Sequence, residues 1–320
     1  MSKPPVPDHG CLEKHIVHYR QMVCGHSVAL DERVRRGTMQ RVAFSDIVRR
    51  YSWIWFDAYG VLNRGTEPVP GAGETLRQLR RAGIPFRLVS NNASHAPEEI
   101  RANLAAMGIV LDLDDIVTSG QVVGDHVREL GYDTRPYLWV GAHDSARHYA
   151  PNPHVLMVNH PGSTWREDAA EFVLFSGNQE YYGGVQERIL LASGRVRSLP
   201  LLLVNADLVA PEPSGETHLV AGFTACTESA AGRHPLVGVG KPFRPVFDLA
   251  WKRCGYPPLD RVLMVGDALE TDILGAAAFG VGTCLTLTGL YGPMAAILER
   301  VCFRMGIHPD YVVGSIAWEA

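Results

Sequence analysis

The chain has 320 residues, which is comfortable for two domains. Apolar residues make up 46% of it and charged residues 20%, the composition of an ordinary globular protein. The formal net charge is −4, and the lysines and arginines are dispersed along the sequence. No basic stripe is available to meet phosphates, so we expect no nucleic-acid partner.

The six cysteines form no C-x-x-C pair, which argues against a zinc or redox motif and is typical of a reducing compartment. The first 15 residues lack the apolar centre of a secretion signal. No apolar run approaches the ~18 residues that a membrane helix needs. We therefore expect a cytoplasmic protein without a membrane partner.

Strands and helices alternate in two stretches of the sequence, one near residue 50 and one near the end. Residues 1–50 show only roughly helical spacing with Gly and Pro breaks. The first stretch predicts a strand at 53–56, a helix at 71–82, a strand at 85–90 and a helix at 97–107. The second predicts a helix at 243–254, a strand at 261–266, a helix at 270–279 and a strand at 283–287. Such alternation predicts an α/β fold with a parallel sheet between helices.

Between the two stretches, residues 120–234 are less regular and contain predicted strands of their own, at 137–140, 172–175 and 201–204. We interpret them as an inserted second domain. Asp57, Ser90 and Asp267 all fall at or just past the end of a predicted strand of the outer stretches. Ligands of parallel sheets lie beyond the carboxyl ends of the strands, so these three residues are expected to share one site.

Four motifs at these positions resemble, in order, those of the haloacid dehalogenase superfamily. They are FDAYGVL (56–62), LVSNNAS (88–94), GKP (240–242) and VGDALETDILGA (265–276). The long gap before the third motif resembles the class II members that carry a large α/β cap. NADLVAP (205–211) adds to the similarity with the branch of N-acetylglucosamine-phosphate and pyridoxal-phosphate phosphatases.

This resemblance covers about residues 45–318 and implies a division of the chain. It implies a Rossmann-like core of residues 45–119 and 235–320, with the cap inserted as residues 120–234. Residues 1–44 fall outside it as an N-terminal extension, whose role the sequence leaves open among a lid, a dimer contact and a disordered tail. A homodimer could form through the cap or through this extension.

The resemblance also implies a magnesium site. Asp57 would be the nucleophile that forms an aspartyl-phosphate, and it would ligate Mg²⁺ together with Asp267 and the backbone carbonyl of Tyr59. Asp272 completes the metal set by orienting magnesium waters or Lys241. Oxygen ligands suit this hard cation, and substrate phosphate would complete its shell.

The remaining site residues are implied to bind phosphate. Ser90, with the neighbouring Asn91 and Asn92, would hold phosphoryl oxygens, and Lys241 would offset the negative charge that develops in the reaction. Taken alone, an Asp after a strand is more often a turn residue or helix cap, and residues 90–92 could be a capping loop. The order of the four motifs favours catalysis. In the cap, Asp207 is expected to brace a loop rather than to contact substrate.

One residue departs from the phosphatase pattern. Relatives that are phosphatases carry an Asp two residues after the nucleophile, where it protonates the leaving oxygen and later activates water; this chain has Tyr59. Tyrosine titrates near 10 and is a poor base at neutral pH. True haloacid dehalogenases also carry Asp-x-Tyr-Gly in this motif and use no metal.

Three functions are therefore open. The favoured one is a Mg²⁺-dependent hydrolase of a small phosphorylated metabolite with atypical acid–base chemistry. The second is a metal-independent dehalogenase, which is disfavoured because Asp267 and Asp272 beside Asp57 would repel one another without a cation. The third is a catalytically weak relative that binds a phosphorylated ligand or a protein partner.

Overall fold

The computed structural model describes residues 9–131, 133–141, 148–149, 155–157, 172–177, 199–211 and 217–318. Its strands are β1 (Gln40–Arg41), β2 (Trp53–Phe56), β3 (Asn63–Arg64), β4 (Glu67–Pro68), β5 (Phe86–Ser90), β6 (Ile116–Thr118), β7 (Tyr137–Gly141), β8 (Val155–Met157), β9 (Phe172–Gly177), β10 (Leu201–Leu203), β11 (Val209–Pro211), β12 (Thr217–Leu219), β13 (Leu236–Gly238), β14 (Val262–Gly266), β15 (Gly282–Thr286) and β16 (Tyr311–Val313).

The α-helices are α1 (His9–Cys24), α2 (Val28–Arg35), α3 (Phe44–Val48), α4 (Ala72–Arg81), α5 (Pro97–Ala106), α6 (Ser119–Glu129), α7 (Ala221–Ala230), α8 (Arg244–Arg253), α9 (Leu274–Phe279) and α10 (Leu298–Met305). A wide π-type turn, Leu269–Ile273, leads directly into α9. No helix in the described segments has the length and apolar character that crossing a membrane requires.

A seven-stranded sheet forms the centre of the fold, in the order β1-β16-β15-β14-β2-β5-β6. Every neighbouring pair in it is parallel. Along β2, Ile54 and Phe56 pack into one apolar cluster and Trp55 into the cluster on the opposite face. A strand buried on both faces is expected where helices cover both sides of a parallel sheet. The predicted α/β class with a parallel core is thus confirmed.

A second, five-stranded sheet has the order β13-β10-β9-β7-β8, again with parallel neighbours. It contains the three strands predicted in the inserted region, as β7, β9 and β10. The second sheet extends past the predicted boundary at residue 235, because Leu236 to Gly238 pair with β10; the domain boundary itself stays a prediction. The chain leaves the second sheet only after β13, immediately before the GKP motif.

The described part of the N-terminal extension is folded onto the rest of the chain. Gln40 and Arg41 pair with Tyr311 and Val312, so β1 is an edge strand of the central sheet. The predicted extension, residues 1–44, thus contributes one short strand to the central sheet, and the predicted division into domains stays a prediction. Ile16 and Tyr19 of α1 are fully buried in an apolar cluster. The other members of this cluster come from both sheets and from the elements packed on them. Packed helices and a strand exclude a disordered tail for residues 9–44.

Candidate active site

Three neighbouring strands bring the predicted site residues together. Asp57 follows β2, Ser90 ends β5 and Asp267 follows β14, and the sheet order places these strands side by side as β14-β2-β5. The amide of Asp57 still donates to the carbonyl of Val265 at 2.9 Å, which fixes the residue at the sheet edge. The three residues therefore lie at the carboxyl ends of adjacent strands, and their role as one functional site stays a prediction.

Lys241 links two of the motif carboxylates. Its Nζ lies 2.6 Å from Oδ1 of Asp57 and 2.7 Å from Oδ1 of Asp272. The lysine is 1% exposed and Asp272 is fully buried, whereas the Asp57 side chain keeps 14% of its surface open. A buried ammonium is tolerated when it is paired with carboxylates. Burial lowers the pKa of Lys241, but Asp272, Asp57 and Asp207 outweigh it and raise that pKa overall.

Carboxylates are crowded around this lysine. One oxygen each of Asp57, Asp267 and Asp272 can be chosen so that all lie within 4.8 Å of one another. Burial raises the pKa of Asp57 to about 7, against the opposing effect of Lys241 and with a contribution from Asp272. The pKa of Asp267 is raised well above its ordinary value by burial and then by the charges of Asp272 and Asp57. One lysine therefore does not neutralise the cluster.

Asp272 has both oxygens engaged by the protein. Oδ1 accepts from Lys241, and Oδ2 accepts from the amides of Asp267 and Ala268 at 3.0 and 3.1 Å. These bonds close the π-type turn against the end of β14. A Cβ at Gly266 would overlap the Asp272 carboxylate, so the glycine permits the approach. This arrangement supports the orienting role predicted for Asp272; its membership of the metal set stays a prediction.

Asp267 is held by backbone on two sides. Its Oδ2 accepts from the amide of Leu290 at 2.9 Å. Gly60 and Gly289 both lie so close to this carboxylate that a Cβ on either would overlap it. Gly60 also has φ +75°, a left-handed conformation that favours glycine. The Asp267 carboxylate therefore lies between two glycines, with Oδ2 bonded to the Leu290 amide.

Tyr59 occupies the turn between Asp57 and the small β3–β4 hairpin. Tyr59 and Asn63 form an isolated β-bridge, which the residues on either side of Tyr59 close. The Gly60 amide donates to the Asn63 carbonyl, and the Asn63 amide donates to the Ala58 carbonyl. The carbonyl of Tyr59 takes no part in these bonds, which leaves an oxygen suited to a metal. The ring packs against the apolar cluster beside the hairpin. Burial and then the charge of Asp57 raise the pKa of Tyr59, so its hydroxyl stays protonated near neutral pH.

The predicted phosphate-binding residues divide in their contacts. Ser90 is buried, and its Oγ accepts from the amide of Asn92 at 3.2 Å while its own proton remains a donor. The side-chain oxygen of Asn92 accepts from the amides of Ser94 and His95, which shapes the loop. These contacts are compatible with the expected phosphate-binding loop and also with the alternative, a capping loop.

Asn91 does not have the free side chain that a phosphate ligand needs. Its Nδ2 donates to Oδ1 of Asp207 at 2.8 Å and to the carbonyl of Lys241 at 2.9 Å. Its Oδ1 accepts from the amide of Lys241 at 2.6 Å. Both N–H bonds of the side chain are used within the protein, and phosphate binding by Asn91 stays a prediction. Asn91 fixes the Lys241 backbone, and Asp207 accepts a hydrogen bond from Asn91.

Two site residues were missed by the motif analysis. Glu270 is buried between the motif aspartates, and Oε2 accepts from the hydroxyl of Tyr291 at 2.9 Å. Burial raises its pKa. Its place inside VGDALETD was the available signal, since it adds a third acid to that motif. Nothing in the sequence marks Tyr291 as its partner.

Comparison with known proteins decides the family. Residues 54–151 match a model of haloacid dehalogenase-like hydrolases, and residues 238–318 match a second HAD-hydrolase-like model. Chronophin of Bos taurus is 30% identical over 286 residues, which cover 87% of this chain and 95% of chronophin. The chain belongs to the haloacid dehalogenase (HAD) superfamily. The predicted family and its branch, which includes the pyridoxal-phosphate phosphatase chronophin, are confirmed.

Solved structures of HAD proteins share the fold. A HAD-superfamily protein from Cytophaga hutchinsonii has a TM-score of 0.71 at 24% identity, covering 88% of this chain and 100% of its own. Glycerol phosphate phosphatase of Mycobacterium tuberculosis, solved in complex with calcium, has a TM-score of 0.63 at 24% identity, covering 85% and 75% respectively. The chain is thus a HAD-family hydrolase whose fold resembles that of these solved structures.

Proposed function

We propose that this chain is a magnesium-dependent phosphatase of a small phosphorylated metabolite, with Asp57 as the nucleophile. The observation that carries the proposal is the position of Asp57. It follows β2, next to the middle strand β14 of the central sheet, and its side chain keeps 14% of its surface open. The buried Lys241 Nζ lies 2.6 Å from Asp57 and 2.7 Å from Asp272. Chronophin and the Mycobacterium enzyme, both phosphatases, add support from the family.

The residues present fit a divalent cation. The carboxylates of Asp57 and Asp267 and the carbonyl of Tyr59 are hard oxygen ligands, and Asp57 and Asp267 belong to a cluster with oxygens within 4.8 Å. Lys241 alone leaves this cluster with excess negative charge, which a divalent cation would offset. When bound, Mg²⁺ would polarise the phosphoryl oxygens as a Lewis acid and orient the substrate. Calcium in the structure of the Mycobacterium relative is consistent with such a site.

Each residue of the site then has a role in group transfer. The ionised Asp57 carboxylate attacks phosphorus, the ester oxygen departs with its electron pair, and an aspartyl-phosphate forms. Water then attacks that phosphorus, which releases inorganic phosphate and restores the carboxylate. Lys241 offsets the negative charge near Asp57, and the Ser90 hydroxyl can donate to a phosphoryl oxygen.

Proton transfer is the weak step of this mechanism. The leaving oxygen needs a proton and the attacking water must lose one, and an Asp at position 59 would do both. Tyr59 keeps its proton, because burial and Asp57 raise its pKa. It can therefore donate but is a poor base. We infer that activated esters, such as aryl and acyl phosphates, are better substrates than alkyl phosphates.

Tyr59 also leaves the dehalogenase function open, because metal-independent dehalogenases carry the same Asp-x-Tyr-Gly motif. The placement of Asp267 argues against it. Asp267 and Asp272 lie close enough to Asp57 for the ionised carboxylates to repel one another unless a cation offsets their charge. A weakly catalytic role in binding a phosphorylated ligand or a protein partner predicts phosphate binding without turnover.

One experiment separates the three functions. Aryl, acyl and alkyl phosphates and 2-haloacids are assayed with Mg²⁺ and with EDTA, beside Asp57→Asn, which keeps the shape but removes the attacking charge. We expect phosphate release that chelation abolishes, that Mg²⁺ restores, and that Asp57→Asn lacks. Full activity in EDTA or turnover of haloacids would refute the magnesium phosphatase. Phosphate binding with no turnover in wild type would favour the binding role.

A further inference from the structure

The N-terminal helix α1 lies between parts of the chain that carry the active site. Ile16 and Tyr19 are fully buried in an apolar cluster that includes Leu203 and Leu208 on one side and Leu269 on the π-type turn of the fourth motif. This helix falls outside the resemblance to the family. Its burial against motif-bearing segments indicates a role in the site rather than in a separate function.

The hydroxyl of Tyr19 is the polar centre of this contact. It donates to the carbonyl of Ala206 at 2.9 Å and lies 3.3 Å from the carbonyl of Gly222 at the start of α7. A Cβ at Gly222 would overlap the backbone of Ala206 and Asp207, so the two segments approach at backbone distance. One hydroxyl therefore joins the loop at 204–208 to the first turn of α7.

From Ala206 a continuous set of hydrogen bonds reaches the nucleophile. Asp207, the next residue, accepts from Asn91, and Asn91 makes a two-bond pair with the backbone of Lys241. Lys241 in turn donates to Asp57 at 2.6 Å. Each bond in this series is buried or half-buried, so water does not readily replace it. The orientation of Lys241 thus depends on where the 206–207 peptide is held.

Further bonds fix α1 on both sides of Tyr19. His15 and His18 lie 2.7 Å and 3.2 Å from the hydroxyls of Thr227 and Ser229 on α7. On the other side, Arg20 donates to the carbonyl of Met305 at the end of α10 at 2.8 Å. The helix is therefore attached to α7, which lies between β12 and β13 in the chain, and to α10, which lies between β15 and β16.

We infer that Tyr19 is a positioning residue that orients Lys241 through Ala206, Asp207 and Asn91. The inference deepens the proposed phosphatase site and rests on it only for the kinetic readout. Loss of the hydroxyl leaves the ring packed near Phe243 but frees the 206–207 peptide. The Asn91 pair to Lys241 then opens more often, and the lysine meets Asp57 in a less uniform orientation.

The test compares Tyr19→Phe with Thr75→Val. Thr75 lies on α4, away from the site, and serves as a matched control. Its buried hydroxyl donates to the carbonyl of Ile316 at 2.8 Å. Backbone amide exchange of the segment carrying Lys241 is measured in both variants. The loss of one neutral hydrogen bond is worth about 0.5–1.5 kcal/mol, so we expect local exchange to quicken about threefold to tenfold in Tyr19→Phe only.

The kinetic arm measures kcat and KM for an aryl phosphate. We expect kcat to fall with little change in KM in Tyr19→Phe, and the same fall to disappear when Asp207→Asn is already present. Equal exchange at Lys241 in Tyr19→Phe and Thr75→Val would overturn the inference whether or not the chain hydrolyses phosphate. If Tyr19→Phe does not fold, Arg20→Gln is used instead, because it loosens the same helix from α10. Unchanged exchange of the Lys241 segment in Arg20→Gln would equally overturn the inference.

Discussion

At the scale of single residues, the site is defined by how its charges are paired. Lys241 is the one cation that the described residues place among Asp57, Asp267 and Asp272, and it is nearly inaccessible to solvent. Without the lysine, the carboxylates of Asp57 and Asp272 would lose the cation that lies between them. Its backbone is fixed separately, by the two-bond pair with Asn91. The charge is therefore both buried and preorganised, which is the condition under which electrostatic stabilisation of a reaction is largest.

Replacing Lys241 should therefore damage both chemistry and binding. We expect Lys241→Ala to lower kcat by about 10²–10³-fold, the range seen when a preorganised charge or donor is removed. Affinity for inorganic phosphate, measured by calorimetry, should fall as well. Lys252 is an exposed lysine on α8 and serves as the control, since Lys252→Ala removes a charge outside the site. Unchanged phosphate affinity in Lys241→Ala would place the lysine outside the substrate site.

Tyr59 stands where the resemblance to phosphatases implies an Asp, and the proposed mechanism depends on this difference. In Tyr59→Asp the site regains a carboxylate that can protonate the leaving oxygen and activate water. We expect hydrolysis of alkyl phosphates to rise by about 10-fold or more, since general acid–base catalysis contributes roughly 10²–10⁴. Acid-quenched samples should show a longer-lived phosphoenzyme in wild type than in this variant.

Tyr59→Phe is the matched control for that substitution. It keeps the ring against the apolar cluster and removes only the hydroxyl. If Tyr59→Phe loses activity on alkyl phosphates, the hydroxyl donates a proton; if it does not, the ring only packs. No gain in Tyr59→Asp together with no trapped phosphoenzyme in either protein would contradict a phosphatase impaired at this step.

Residue types predicted the site better than they predicted individual contacts. The strand-end positions of Asp57, Ser90 and Asp267 follow from local patterns, because the carboxyl ends of parallel strands meet at one edge. The role of Asn91 could not be deduced, since its partners Asp207 and Lys241 lie 116 and 150 residues away in sequence. A side chain's partners across such separations depend on the packing of both sheets.

At the scale of elements, the predicted strands and helices of the central sheet were close to those observed. The helices predicted at 71–82 and 243–254 are α4 and α8 with ends shifted by one residue. The helix predicted at 270–279 instead begins as the π-type turn and becomes α-helical only at Leu274. The wider turn lets the Asp272 carboxylate accept hydrogen bonds from the amides of Asp267 and Ala268. The spacing of apolar residues does not predict such contacts.

Element boundaries failed where long-range pairing decides them. The strand β13 joins the second sheet and β1 joins the first, yet each has only two or three residues. Segments this short carry no clear periodic signal. Their sheet membership comes from the neighbours β10 and β16, which supply the free edges that they pair with.

The loop after β15 should be sensitive to a single added methyl group. A Cβ at Gly289 would overlap the Asp267 carboxylate, so Gly289→Ala must displace a proposed metal ligand. We expect a higher Mg²⁺ concentration for half-maximal activity, with the fold intact by circular dichroism. Gly314→Ala is the control, because a Cβ there meets nothing within 4 Å. Equal Mg²⁺ dependence in the two variants would contradict metal binding by Asp267.

At the scale of the whole molecule, a chain of net charge −4 concentrates buried acids at one place. Asp272 and four further acids share the region of one lysine. Burial raises the pKa of those four, which are Asp57, Asp207, Asp267 and Glu270. The two sheets and α1 enclose this region and exclude the water that would otherwise hydrate the charges. The same enclosure that makes the acids costly to ionise makes a divalent cation effective there.

The stability of the protein should therefore depend jointly on pH and Mg²⁺. Without metal, the pKa of Asp57 is about 7 in the folded chain and about 3.9 in the unfolded one. Between these values the folded state holds more protons than the unfolded state, so the free energy of unfolding falls as pH rises from about 4 to about 7. Magnesium requires the ionised carboxylates, so its binding competes with those protons and strengthens over the same window.

Thermal unfolding with and without Mg²⁺ at pH 5.5 and pH 7.5 measures this competition without any substrate. A ligand that binds only the folded state stabilises it by RT ln(1 + [L]/Kd), so the rise in Tm reports the affinity at each pH. We expect a larger rise at pH 7.5 than at pH 5.5, because Asp57, with a pKa of about 7, is more fully ionised at the higher pH and fewer protons compete with Mg²⁺. Asp267→Asn should abolish most of the rise at both values. A rise of the same size at both pH values would mean that Mg²⁺ binds away from these carboxylates, and the magnesium site would have to be abandoned.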